Sequence, residues 1–240
     1  MIAVLSDFGD SEYLGEMKGV IYSVNPKAVV SDLCNSIESH NIKEGAWILL
    51  RSYIHFPRGA VFLCVVDPGV GGERKAIAVK TKNYWFVGPD NGLMYPAARE
   101  DGIEKIIELV IAKDAAKIFH GRDVFAPSAA GIDMGRDING REAKEMEKLE
   151  FYLDGREGEI VRIDKFGNIV TNIPPVKGSR QYILKTGKGE KTLNFYENYE
   201  EAKEETFLTE GSAGTLEIAC KNREASREMG LKVGDKVEIS

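Results

Sequence analysis

Asp67 opens the run Asp67-Pro68-Gly69-Val70-Gly71-Gly72-Glu73-Arg74, directly after the longest apolar stretch of the chain, Ala60–Val66. A carboxylate on a glycine-rich turn at the carboxyl end of a buried strand stands where open α/β sheets bind their ligands. Arg74 is close enough in sequence to fold back over the turn and pair with it. The same spacing also fits a tight turn closed by a surface ion pair. The run is not a phosphate loop, because the Gly-Lys-[Ser/Thr] ending is missing. His120, within Phe119-His120-Gly121-Arg122-Asp123-Val124-Phe125-Ala126-Pro127, precedes a helical stretch. There, N–H groups and the positive end of the helix dipole disfavour a protonated imidazole. A capping or core-satisfied histidine is the alternative.

Asp7 in Ser6-Asp7-Phe8-Gly9 ends the first apolar run and suits two-point binding of a ribose diol, or a helix cap. Gly88-Pro89-Asp90-Asn91-Gly92 is a turn signal and by itself nothing more. Gly211-Ser212-Ala213-Gly214 reads as a hairpin loop or a backbone nest for a carboxylate. Of the other two histidines, His40 and His55, the latter reads as a surface residue, and no histidine pair has metal-ligand spacing. Taken together, these groups describe an enzyme without naming its substrate.

The elements that must position them follow from periodicity. Ile2–Ser6 is strand-like, Glu12–Val24 has helical spacing and stops at Asn25-Pro26, and Ala28–Leu33 reads as a strand. Ile42–Ile54 is an amphipathic helix, Ala60–Val66 a strand buried on both faces, and Ala76–Lys80 and Trp85–Val87 further strands. The alternation predicts an α/β domain with a mostly parallel sheet. The charge-dense stretch Arg136–Glu159 reads as a connection or a short helix. Beyond it, Gly158–Asp164, Asn168–Ile173, Gln181–Lys185, Thr192–Tyr196, Thr215–Cys220 and Lys236–Ile239 are short strands separated by turn residues. The expected organisation is an α/β domain over 1–148 and a small all-β barrel over 149–240.

Composition sets the limits. Hydrophobic residues make up 43%, as in ordinary globular proteins, and the formal net charge of −6 argues against nucleic-acid or anionic-membrane partners. The seven-residue run Ala60–Val66 is far short of a membrane span, and the N-terminus lacks the basic region of a signal peptide. Cys34, Cys64 and Cys220 are odd in number and form no Cys-x-x-Cys pair, which reads as reduced thiols and a cytoplasmic protein.

The ordered set Ser6-Asp7-Phe8-Gly9, Gly15-Glu16-Met17-Lys18-Gly19, Asp67-Pro68-Gly69-Val70-Gly71 with Arg74, Gly88–Gly92, Phe119–Asp123, and Phe166-Gly167-Asn168 with Thr171-Asn172-Ile173 resembles the S-adenosyl-L-methionine hydrolases. These are also called S-adenosyl-L-methionine hydroxide adenosyltransferases and are relatives of the fluorinases and chlorinases. The resemblance implies an N-terminal α/β domain and a C-terminal β-barrel. It also implies a homotrimer with active sites between subunits. The implied reaction is attack of activated water at the ribose C5′, giving adenosine and L-methionine without a cofactor or metal.

By the same resemblance, Asp67, Arg74 and His120 are the water-activating set and Asp7 binds the ribose. Asp164, Phe166 and Asn168 hold the methionine amino end and the adenine. Ser212 falls at the methionine carboxylate. Glu217 and Cys220 lie beside the adenine, with Tyr196 as a second ring and Glu12 near the amino group. His40 stands where the halogenases carry a tryptophan over the sugar, so it is a substitute contact or a surface residue, and the latter is favoured. A carboxylate at position 67, where halide-using relatives carry an uncharged residue, and the short segment Lys80–Trp85 both favour water over halide. The alternatives are an adenosyl-chloride synthase on the same scaffold and a non-catalytic S-adenosylmethionine or adenosine binder. A nucleoside hydrolase that uses Asp7 on the ribose is a third.

Overall fold

In the computed structural model, which describes residues 1–240, the chain divides into two units, Met1–Leu149 and Glu150–Ser240. The first runs β1 (Ile2–Ser6), α1 (Glu12–Val24), β2 (Val30–Cys34), α2 (Ile42–Ser52), β3 (Val61–Val65), β4 (Ala76–Thr81), β5 (Trp85–Pro89), α3 (Tyr95–Asp101), β6 (Ile103–Leu109), α4 (Ala126–Asp133) and β7 (Gly140–Ala143). Its strands form one sheet in the order β2-β1-β3-β5-β4-β6-β7.

Alternation along the central strands explains why they read as unbroken apolar runs. Ala3, Leu5, Phe62 and Cys64 face a core closed by α2 and α3, through Ile48, Leu49, Ala97 and Ala98. Ile2, Val4, Val61, Leu63 and Val65 face a second core closed by α1 and α4, through Met17, Ile21, Ala126 and Ala130. A strand covered by helices on both faces needs apolar residues at every position.

The sheet is mixed, not mostly parallel. β1 pairs in parallel with β2 and β3, and β3 with β5. β4 is antiparallel to both β5 and β6, and β6 to β7. A parallel crossover needs about a dozen residues. Only residues 82–84 separate β4 from β5, so that connection can only be a hairpin. The region read as a connection or short helix contributes β7, which pairs with β6 from Ile106↔Ala143 to Leu109↔Gly140.

The second unit is β8 (Glu157–Ile163), β9 (Ile169–Thr171), β10 (Gln181–Thr186), β11 (Gly189–Asn194), β12 (Thr206–Glu210), β13 (Leu216–Cys220), the one-turn helix α5 (Ala225–Met229) and β14 (Lys236–Ile239). Its sheet order is β11-β10-β14-β8-β9-β13-β12, with every neighbouring pair antiparallel. Its two edges approach where Tyr196 N–H donates to the Leu208 carbonyl at 2.9 Å, leaving a barrel that is nearly closed. The interior is Ile160, Ile169, Leu184, Leu208, Ile218 and Ile239. No helix in the chain is long and apolar enough to cross a membrane.

The central stack of Phe62 on Phe86, with ring centroids 5.2 Å apart, is fully buried. Phe62→Ala is expected to cost about 3–5 kcal/mol of unfolding free energy in denaturant titrations. Val29→Ala, at a position 62% exposed, is expected to change it by less than about 0.5 kcal/mol.

Candidate active site

The chain passes from β1 to its neighbour β2, then crosses back to β3 on the other side of β1. Such a reversal opens a crevice at the carboxyl ends of the strands. β1 and β3 are in register to Ser6↔Val65, so Asp7 and Asp67 leave the same sheet edge one and two residues later. A cleft of about 350 Å³ lies there, lined among others by Asp7, Tyr13, His40, Asp67, Phe119 and His120.

Behind the cleft surface, Arg74 joins Asp67 to His120. Arg74 Nε donates to Asp67 Oδ1 at 2.9 Å and Nη2 donates to Asp67 Oδ2. The same Nη2 lies 2.8 Å from His120 Nδ1. A guanidinium has protons to give and no lone pair to offer, so Nδ1 is the acceptor and the ring proton belongs on Nε2. Burial, and then the facing Arg74 charge, push the His120 imidazole below its ordinary value, while Asp67 and Asp123 partly oppose the shift. His120 is therefore a neutral ring whose remaining nitrogen is a hydrogen-bond donor.

Two features hold the loops together. Gly71 has φ +76°, and a Cβ there would lie 2.2 Å from the Lys117 carbonyl oxygen, so the 67–74 loop seats on the segment leading to His120 only with glycine at that position. Just past His120 the chain forms a π-helical turn, Gly121–Phe125, in which Ala126 N–H reaches back to the Gly121 carbonyl. Arg122 bonds Asp123 at 2.6 Å and Glu16 at 2.9 Å, and Asp123 accepts from Ala116 N–H at 2.8 Å. This latch ties the 116–123 segment to α1.

Asp7 Oδ2 accepts the backbone N–H of His40 at 2.9 Å. His40 is exposed, as expected, but it also lines the cleft and holds φ +68°, an uncommon conformation for a residue with a Cβ.

The second unit carries a wider pocket of about 1000 Å³, with Asp164, Phe166, Asn168, Tyr199, Glu217 and Cys220 on its wall. Asp164 spends its carboxylate on its own hairpin, accepting from the backbone N–H groups of Phe166 at 2.8 Å and Asn168 at 2.9 Å and from Asn168 Nδ2 at 2.9 Å. The turn presents Phe166 outward, 66% exposed. Asn168 Nδ2 also donates to the Tyr199 hydroxyl at 2.9 Å. Burial, and then the charge on Asp164, raise the Glu217 carboxyl above its ordinary value. Burial, then the charges on Glu217 and Asp164, raise the Tyr199 hydroxyl, while the Asn168 hydrogen bond opposes the shift. The wall offers a flat ring to stack on and an amide, a phenol and a carboxyl to read a heterocycle's edge.

Residues 2–141 match the SAM hydroxide adenosyltransferase N-terminal domain and residues 158–238 the C-terminal domain. The chain belongs to the SAM hydroxide adenosyltransferase family. A Methanocaldococcus jannaschii protein named (R)-S-adenosyl-L-methionine hydrolase is 35% identical over 255 residues, covering 100% of this chain and 95% of its own length. A Thermus thermophilus protein of the same name is 33% identical over 254 residues, covering 98% and 97%. The crystal structure of an uncharacterized conserved protein from Thermotoga maritima superposes with a TM-score of 0.92 at 35% identity, over the full length of both chains.

In this chain, Asp7, Asp67 and His120 share the cleft with Arg74 behind them, and Asp164, Phe166, Asn168, Glu217 and Cys220 share the second pocket. Three expected residues lie elsewhere. Tyr196 donates to Glu204 at 2.6 Å and packs edge-on to Phe207, and Tyr199, three residues on, takes the place beside Asn168. Ser212 lines a separate groove with Arg180 and Phe195. Glu12 is exposed in the first turn of α1, whereas Tyr13 and Glu16 of that helix line the cleft. Helical spacing carried that signal, because Tyr13 and Glu16 are i and i+3 on one face.

A lowered imidazole pKa keeps the ring neutral further into acid. In NMR titration His120 is expected to protonate below the ordinary histidine value of about 6.5. Gly71→Ala is expected to cost about 1–3 kcal/mol of stability in thermal unfolding and to raise the His120 pKa by separating the two loops.

Proposed function

We propose that the protein hydrolyses S-adenosyl-L-methionine to adenosine and L-methionine by in-line attack of water at the ribose C5′. One observation carries the reading: Asp67, Arg74 and His120 form a continuous hydrogen-bonded group on the cleft that also holds Asp7, in a chain matched by the family along both units. The water oxygen bonds to C5′ while the C5′–S bond breaks and its electron pair stays on sulfur. The leaving group is then a neutral thioether and needs no general acid. The water proton passes to Asp67. The neutral His120 ring offers Nε2–H to the attacking oxygen, so it orients the nucleophile and does not take its proton. Arg74 sets the geometry of both.

Proton transfer to a positioned base is typically worth roughly 10²–10⁴-fold. Alignment of the reacting atoms can contribute roughly 7–11 kcal/mol. Orientation in the cleft therefore outweighs the base itself. A carboxylate facing the nucleophile position also disfavours a halide in place of water. The thioether leaves neutral and needs no Lewis acid, so this mechanism invokes no metal.

Asp7 would hold the ribose diol, with Oδ2 pre-set by the His40 amide. Phe166 would stack the adenine, with Asn168, Tyr199 and Glu217 reading its edge. The two pockets would be brought together in a homotrimer, each site built from one subunit's α/β unit and a neighbour's barrel, in the cytoplasm.

Incubation with S-adenosyl-L-methionine in ¹⁸O-water should yield adenosine labelled at the 5′ oxygen, read by mass spectrometry. Unlabelled adenosine, or free adenine, would refute attack at C5′. Asp67→Ala should lose about 10²-fold or more in kcat while binding adenosine as tightly as the parent, by calorimetry. Turnover equal to the parent's would remove Asp67 from the chemistry. Sedimentation should give three times the monomer mass.

A further inference from the structure

The turn Gly88–Gly92 looks in sequence like a turn alone, yet it touches both ends of the loop that carries Asp67 and Arg74. The β3/β5 ladder runs from Val61↔Trp85 only to Leu63↔Val87. Val66 lies beyond it and is fully buried, so its carbonyl needs a partner that the ladder does not supply. Asn91 Nδ2 donates to that carbonyl at 2.8 Å. At the loop's other end, Asp90 N–H donates to the Lys75 carbonyl at 2.9 Å. One bond lands on the residue before Asp67 and the other on the residue after Arg74.

The turn that makes these bonds is itself braced. Asn91 Oδ1 accepts from Leu93 N–H at 3.2 Å. The buried Asp90 carboxylate accepts from Glu147 N–H at 2.7 Å. Gly88 packs so closely that a Cβ would stand 2.2 Å from the Cys64 carbonyl oxygen. Between the two anchored ends the loop holds Gly69, Gly71 and Gly72 and has little stiffness of its own.

We propose that Asn91 is a positioning residue for the hydrolysis: its carboxamide fixes the start of the 67–74 loop so that Arg74 reaches Asp67 and His120 together. The inference rests on the reading of that trio as the water-activating group. Asn91→Asp is nearly isosteric and keeps the acceptor for Leu93 N–H. It removes the donor and sets a carboxylate oxygen against the Val66 carbonyl.

The test has a readout that does not depend on turnover. Burial lowers the His120 pKa most; of the charged groups that act on the ring, Arg74 lowers it further and Asp67 and Asp123 raise it. If Asn91→Asp loosens the loop, Arg74 withdraws and the His120 NMR titration moves up toward 6.5. In the same variant kcat should fall at least about tenfold while adenosine affinity changes less than about threefold. Asn83→Ala removes a 2.7 Å side-chain bond to Asp101 beside the β4–β5 hairpin of the same unit. It should lower Tm yet leave the His120 titration and kcat unmoved. If Asn91→Asp does not fold, Asn91→Ala carries the same test without opposing two oxygens.

An unmoved His120 titration in the Asn91 variant overturns the proposal, whether kcat stays level or falls only as Tm does. A wild-type protein that forms no adenosine overturns the hydrolase reading instead, and the titration still decides the role of Asn91 in placing Arg74.

Discussion

The guanidinium of Arg74 is the constraint around which the first unit is arranged. It is nine-tenths buried, spends Nε and Nη2 on the Asp67 carboxylate, and directs Nη2 at His120 Nδ1 as well. Removing a charge from water costs several kcal/mol, which only close pairing can offset. The arrangement makes sense where two functional side chains must be held by a third that never changes its own protonation.

One consequence is a division of roles between two groups that look interchangeable on paper. Asp67 and His120 could each take a proton from water. Arg74 decides between them, because it occupies the only basic nitrogen of the imidazole and leaves the other as a donor. The difference between the two groups is thus set by a hydrogen bond behind the cleft.

The second unit works differently. Its pocket is built by a hairpin whose carboxylate, Asp164, is consumed in holding the turn, so that Phe166 stands exposed and Asn168 is tied to Tyr199. Its pocket presents an exposed ring and a half-buried Glu217. Asp67, Arg74 and His120 all belong to the first unit, where helices cover both faces of the sheet.

Local pattern was enough for much of this. Helix α1 begins and ends where its spacing and the Asn25-Pro26 stop place it, and β3, Val61–Val65, lies within the predicted run Ala60–Val66. The ordered motifs identified the family before any coordinate, because each motif is a short contiguous signal. The direction of the sheet's second half, the strand β7, the place of Tyr199 beside Asn168, the proton on His120 Nε2 and the clamp of Asn91 on Val66 were not legible. Each depends on which of many distant residues becomes a neighbour. Asn91 lies 25 positions from Val66 and His120 46 from Arg74, and periodicity carries no information at those separations. Sequence alone determined which chemical groups this protein has and which strand and helix ends carry them. Tertiary structure decided which group holds which, because a hydrogen bond is a relation in space between side chains that the chain order leaves far apart.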